Sequence, residues 1–356
     1  MPETLVDAAL AGGLGSAAAV SIGDGGREIA RVVRGHVHRV TIAGHALGPP
    51  IDAHTRFDVA SLTKPMATAA LAMVLVGDGR LRLDDRVRRW LPDATTEGTV
   101  AELLSHAAGC AAHVEFFRTL RAAPPTAPYD TLVAAAAQHP ASLPGAVAVY
   151  SDLGYLQAGR LVEEVSGRAL PEAFAELVAG PLGLDETSYG PIAPASTVAT
   201  ELDDRGLVWG QVHDENAYYG GGACGHAGLF ATIGDVATFA AAICDALNDV
   251  PRGRLVPDVV RRFVTTRGAP GASWRLGWDT ASTTPGVSHA GDRWPRDHAI
   301  GHLGFTGTSM WLDPPRRRWA ILLTNRVHPT RFGDTADRIK ALRRAVNDAA
   351  IALTDR

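Results

Sequence analysis

Phe57-Asp58-Val59-Ala60-Ser61-Leu62-Thr63-Lys64-Pro65 opens a run that stays apolar and alanine-rich as far as Val76 and stops at Gly77-Asp78-Gly79. An apolar run of that length, ended by glycines, reads as a buried helix over Ser61 to Val76. Helical positions three apart share a face, so the Ser61 hydroxyl and the Lys64 amine can meet. A serine hydroxyl is a weak nucleophile until a base sits beside it. A lysine desolvated at the start of an apolar helix is expected to have a lowered pKa and to act as that base. The helix N-terminus also turns backbone N–H groups toward the nucleophile's surroundings. Four residues alone decide little, because a capping serine and a snorkelling lysine give the same pattern.

Outward from this helix the pattern changes in both directions. Ala17 to Ile22 is a β-prone run ending at the turn Gly23-Asp24-Gly25-Gly26, and Ile29 to Val40 follows as a second strand of a hairpin. Near the other end, Thr308 to Leu312 and Trp319 to Thr324 flank a turn at Asp313-Pro314-Pro315-Arg316. Between them the chain reads as helices. Val87, Trp90 and Leu91 lie on one face of a short one. Thr99-Val100-Ala101-Glu102 is a capping box that starts another, running toward His106. Leu153 to Val165, closed by Gly167, Pro171 to Val178 and Asp235 to Leu247 follow. Thr335 to Ala352 closes the chain as an amphipathic helix through Ile339, Leu342, Val346 and Ile351. The two ends are therefore expected to share one antiparallel sheet. This assigns 1–56 and 285–356 to a sheet domain and 57–284 to a mainly helical region. Ala122 to Pro128 reads as a surface loop, and no repeat or low-complexity tract is present.

Composition narrows the function classes. Of 356 residues, 46% are hydrophobic and 20% charged, the balance of a globular chain rather than a disordered one. A formal charge of −4 with no long basic run gives no electrostatic reason to bind nucleic acid. The short basic stretch Arg316 to Arg318 reads as solvated surface. The first residues carry no basic segment followed by a continuous apolar one, and no run of about 18 apolar residues stands out. The expectation is a cytoplasmic protein with no membrane partner. Cys110, Cys224 and Cys244 are too few for a disulfide framework. The 34 basic residues include only two lysines, Lys64 and Lys340. A lysine kept against such a bias can do what arginine cannot, which is to lose its proton.

Two further stretches can carry chemistry. Tyr150-Ser151-Asp152 offers a phenol that, beside an amine, can shuttle a proton. His302-Leu303-Gly304 lies in the glycine-rich stretch Gly301 to Thr308, where another group can approach the backbone. Taken with the Ser61 segment, their order and flanks resemble the serine β-lactamase and penicillin-recognising superfamily. The nearest likeness is to class C β-lactamase-like proteins, D,D-peptidases and family VIII esterases. Leu81 to Asp85, Trp90-Leu91-Pro92, Leu103 to Gly109, Pro144-Gly145, Pro181 to Leu184 and Gly225 to Phe230 resemble further landmarks of that superfamily.

The resemblance implies a β-lactamase/transpeptidase-like α/β (α+β) fold: an antiparallel sheet flanked by helices, plus a helical domain, with a cleft between them. It implies Ser61 as nucleophile, with Lys64 and Tyr150 sharing proton transfer. The amides of Ser61 and Phe305 would form an oxyanion hole, and Asp152, His302 and Gly304 would contact substrate. It calls for no cofactor and no metal, a small ester or amide substrate, and a monomer or small homo-oligomer. Asp152 stands where Asn is common, and His302 where many members have Lys. A neutral histidine is expected to favour uncharged esters or amides over β-lactams, which carry a carboxylate.

Competing readings are weaker. His106, Cys110 and His113 lack the second ligand pair of a zinc site. Cys224 and His226 have no established thiol–imidazole geometry. Gly12-Gly13-Leu14-Gly15 precedes a strand and is no nucleotide fingerprint. His213, Asp214, Glu215 and Asn216 form a polar cluster expected to line the cleft. A catalytically silent binding or scaffold relative is the alternative from another class.

Overall fold

The computed structural model describes residues 1–356 apart from positions 43, 45, 285 and 356. Its centre is a six-stranded sheet ordered Arg27–Gly35, Ala17–Asp24, Arg318–Thr324, Ser309–Asp313, Ile300–Leu303 and Asp279–Thr280. Every pairing in it is antiparallel. Residues from the two ends of the chain lie side by side at its middle, with Ala19 opposite Leu323 and Val20 opposite Leu322.

The alternation of a strand explains why both central strands are buried along almost their whole length. Ala18, Val20 and Ile22, with Trp311, Ala320 and Leu322, pack against Val6, Ile339, Leu342 and Val346. Those four residues come from the helices Pro2–Ala11 and Thr335–Thr354. Ala17 and Ala19, with Trp319, Ile321 and Leu323, face Val236, Phe239 and Ile243 of the helix Ile233–Leu247. The sheet is thus covered on both faces, and the covering helices come from the two ends and from the middle of the sequence.

The apolar run after Ser61 is the core of the second layer. It begins as a 3-10 turn over Ala60–Leu62, continues as a π-helical stretch over Lys64–Ala69 and becomes α-helical over Ala70–Gly77. Pro65 supplies no N–H, so the first turns cannot close a regular ladder. Such widened turns recur at functional sites. Among the described residues Ala60–Gly77 is the one helical segment long and apolar enough to cross a membrane, and 83% of it is buried within the fold. This segment corrects the expectation that no apolar run of such a length stands out.

Other elements match or correct the expectations. The capping box at Thr99 forms in both directions, with Thr99 Oγ1 accepting from Glu102 N and Glu102 accepting from Thr99 N. The helix Asp152–Ser166 ends at Gly167 in the left-handed conformation. The hairpin strand expected to reach Val40 stops at Gly35. The segment 1–56, assigned to the sheet domain, opens with a helix, Pro2–Ala11, with proline well placed at its first turn. Arg318 is not solvated surface. It is buried, and ion-paired with Asp24, Asp313 and Asp355.

Candidate active site

Three chain segments meet beside the sheet edge. Ser61 lies in the 3-10 turn that opens the apolar helix. Tyr150 directly precedes the helix Asp152–Ser166, whose N-cap is Ser151. His302 and Gly304 lie at the end of the strand Ile300–Leu303. A cavity of about 770 Å³ opens between them, lined by Ser61, Tyr150, Asp152, Trp274, His302 and Phe305 among others. That is ample for a small organic substrate.

The geometry around Ser61 is close. Lys64 Nζ, fully buried, donates to Ser61 Oγ at 2.9 Å, to Asp152 Oδ1 at 2.7 Å and to the carbonyl of His226 at 3.2 Å. The Tyr150 ring lies over Lys64, with its centroid 4.9 Å from Lys64 Nζ. The structure therefore brings Ser61, Lys64, Tyr150 and Asp152 together.

It also reverses one expectation. Burial works against the Lys64 ammonium, but the Asp152 carboxylate and Tyr150 outweigh it and hold the pKa above the ordinary lysine value. Lys64 is thus an ammonium at neutral pH rather than a free base. Burial raises the Tyr150 pKa too, against the pull of the neighbouring ammonium. Asp152 is held well below the usual carboxylate range, because Lys64 and His113 outweigh its burial.

The nucleophile's backbone is held from several sides. Ala60 adopts φ +49°, a left-handed conformation unusual for alanine. Asp58 supports it by accepting from Ala60 N at 2.8 Å, and its other oxygen accepts from His213 N at 2.7 Å. Thr306 Oγ1 donates to Asp58 O and Thr308 Oγ1 to Val59 O, tying the third motif to the nucleophile's strand. A Cβ on Gly304 would lie 2.5 Å from Val59 O and 2.0 Å from Thr308 Oγ1. The close approach that glycine permits here is therefore made by the chain itself, although Gly304 also lines the cavity. Among the described residues neither Ser61 N nor Phe305 N donates a hydrogen bond within the chain. An oxyanion hole needs two such unbonded amides.

His302 is neutral. Its Nδ1 donates to Leu303 O at 2.8 Å, since a carbonyl can only accept. Burial and then the charge of Lys64 push its pKa down to about 3. Its Nε2, buried without a partner among the described residues, is left as an acceptor.

Of the polar cluster, His213, Asp214 and Glu215 line the cavity. Asn216 does not. It is buried, accepting from Phe117 N and donating to Val114 O. Asp214 accepts from His226 Nε2 at 2.9 Å. The metal-like spacing of His106, Cys110 and His113 gives no shared site: His106 Nδ1 accepts from Ser151 N, Cys110 Sγ from Gln157, and His113 faces Asp152 at 3.6 Å. Burial pushes the Cys224 thiol up, the wrong direction for a nucleophilic thiolate.

Several contributors escaped the sequence reading. Trp274 packs on Tyr150 at 5.1 Å and on His302 at 5.6 Å between centroids. Arg343 is buried beneath the third motif and donates to the carbonyls of Gly304, Gly307 and Thr308. Neither carries a local motif. Asp58 did stand in plain view within the nucleophile segment.

A half-buried serine and tyrosine around a buried lysine, in a cleft beside an antiparallel sheet, are the arrangement expected of the serine acyl hydrolases that the sequence resembles. The family model described as Beta-lactamase matches residues 3–345, and the chain belongs to that family of serine hydrolases. A relative from Escherichia coli (strain K12), named "Putative D-alanyl-D-alanine carboxypeptidase", is 30% identical over 307 residues, covering 77% of this chain and 70% of the relative. Two solved structures share the fold. EstCE1, a hydrolase with promiscuous acyltransferase activity, has a TM-score of 0.71 at 21% identity, covering 96% of this chain and 97% of its own. A beta-lactamase from Mycobacterium bovis has a TM-score of 0.65 at 22% identity, covering 98% of each chain.

Proposed function

We propose that this protein hydrolyses esters or amides through an acyl-enzyme on Ser61. The observation that carries the reading is the Ser61 hydroxyl bonded at 2.9 Å to the buried Lys64 ammonium, with Tyr150 alongside. In the minor form of the Lys64–Tyr150 pair that has already lost one proton, Ser61 Oγ attacks the carbonyl carbon and its proton passes to the pair's free base. The amides of Ser61 and Phe305 receive the charge on the carbonyl oxygen. Such donors are worth roughly 2.7–4 kcal/mol each in comparable sites. As the C–O or C–N bond breaks, the pair returns that proton to the leaving group. Water then attacks the acyl ester, loses a proton to the same pair, and Ser61 recovers its hydrogen. The two groups titrate as one coupled unit.

The substrate proposed is a neutral ester or amide, D-amino-acid amides included, in preference to a β-lactam. An uncharged His302 supplies no cation for a β-lactam carboxylate at the third motif. The test is hydrolysis of p-nitrophenyl butyrate and of benzylpenicillin by the wild type and by Ser61→Ala. The ester should be turned over faster by the wild type, and both activities should fall at least about a thousandfold in the variant. Faster penicillin turnover would overturn the substrate preference. Equal activity in both proteins would remove Ser61 from the mechanism, and no activity on any acyl substrate would favour a binding or scaffold role.

A further inference from the structure

We infer that His106 is the positioning residue for Tyr150; this rests on Tyr150 carrying protons at the site proposed above. His106 holds the amides of both residues that flank the tyrosine. Its backbone carbonyl accepts from Val149 N at 2.9 Å, and its ring Nδ1 accepts from Ser151 N at 3.0 Å. One residue thus grips the chain immediately before and immediately after Tyr150. The second bond fixes the tautomer, because a ring nitrogen accepting from an amide must carry the lone pair. The proton is then on Nε2, buried and without a partner among the described residues.

The backbone of His106 is shaped accordingly. Its φ is +62°, in the left-handed region, at the point where the chain leaves the helix Val100–Leu104. In this conformation the same residue presents its carbonyl to Val149 and its ring to Ser151. The ring is buried and packs on Tyr150 at 4.7 Å, Tyr155 at 4.9 Å and Trp274 at 4.8 Å between centroids. Burial and the charge of Lys64 hold its pKa well below the ordinary histidine value, so it stays an acceptor at neutral pH. Tyr150 otherwise sits in a stretch without helix or strand, Ala146 to Tyr150. Its placement over Ser61 therefore depends on such anchors. A misplacement near 1 Å at a reacting group can cost about a hundredfold in rate.

The test is a set of variants assayed with the p-nitrophenyl ester. His106→Ala removes the acceptor and strains the left-handed position. It should lower kcat about 10- to 100-fold with KM changed less than about threefold. His106→Asn places an oxygen near the Nδ1 position and tolerates positive φ, so it should recover most of the loss. His106→Gln sets its oxygen one bond further out and should not. The deciding measurement is the double-mutant cycle with Tyr150→Phe, in which adding His106→Ala should cost less than about twofold more. A full additive loss there would show that His106 acts elsewhere and overturn the inference. Equal kcat in His106→Asn and His106→Gln would overturn it too, and needs no alanine variant to fold. Unchanged activity of Tyr150→Phe alone would instead overturn the proton-carrier reading, and this inference with it.

Discussion

Lys64 has lost its water and gained Asp152, and the second change outweighs the first. An ammonium buried alone would shed its proton, but one bonded at 2.7 Å to a carboxylate keeps it. The base form of the Lys64–Tyr150 pair is then scarce at neutral pH, because both members have raised pKa values. Activity should accordingly climb with pH above neutrality. Asp152→Asn removes the largest influence favouring the ammonium, and should move the rising limb of kcat/KM to lower pH by about 1–3 units. A pH–rate profile of the two proteins checks this, and superimposable limbs would show that Asp152 does not set the charge of Lys64. That Ser61 and Lys64 share a helix face was readable from their spacing. The charge state of Lys64 was not, because Asp152 lies 88 positions further along the chain.

The elements meet the cleft through backbone contacts as tight as those of the sheet. Gly159, inside the helix Asp152–Ser166, packs directly on Gly225. A Cβ there would lie 2.8 Å from Gly225 Cα and 2.9 Å from Gly225 N. This contact fixes the helix that carries Asp152 against the loop whose His226 carbonyl receives Lys64. In a free helix alanine would be favoured over glycine by about 1 kcal/mol. Here overpacking against backbone should reverse the sign, and Gly159→Ala should destabilise the fold by about 1–3 kcal/mol. Thermal or urea unfolding reads the difference, and an unchanged or raised midpoint would mean that the loop yields. The helices themselves were legible from caps and glycine stops, as at Thr99 and Gly167. Their packing partners were not, since a glycine in a helix shows no sign of what lies against it.

Across the whole molecule, a charge network joins the central region to the C-terminal segment. Glu201 accepts from Arg331 Nε at 2.6 Å and meets His213 Nε2 at 2.8 Å, while Arg331 Nη2 donates to Glu215 at 2.6 Å. Burial alone would raise the Glu201 pKa, but His213 and Arg331 outweigh it and bring it to about 2. A carboxylate depressed on folding stabilises above its unfolded value, about 4.3, and that contribution is lost as pH falls through the folded value. The stability difference between wild type and Glu201→Gln should therefore be greatest above about pH 5 and shrink toward pH 2. Denaturant unfolding at a series of pH values measures it, and a pH-independent difference would assign the effect to packing rather than charge.

By itself the sequence determined the local pieces: the apolar helix behind Ser61, the capping box, the strand runs at both ends and the motifs that mark the family. Each of these is encoded in neighbouring residues, through periodicity, turn chemistry and capping. Tertiary structure decided what neighbours in sequence cannot encode. It made Lys64 an ammonium through Asp152, made His302 neutral through burial, and turned Arg318 inward to three carboxylates. It also closed His106 around Tyr150. In every one of these cases the deciding partner, or the low-dielectric surrounding, comes from a distant part of the chain, and charge and hydrogen bonding respond to distance in space rather than along the sequence.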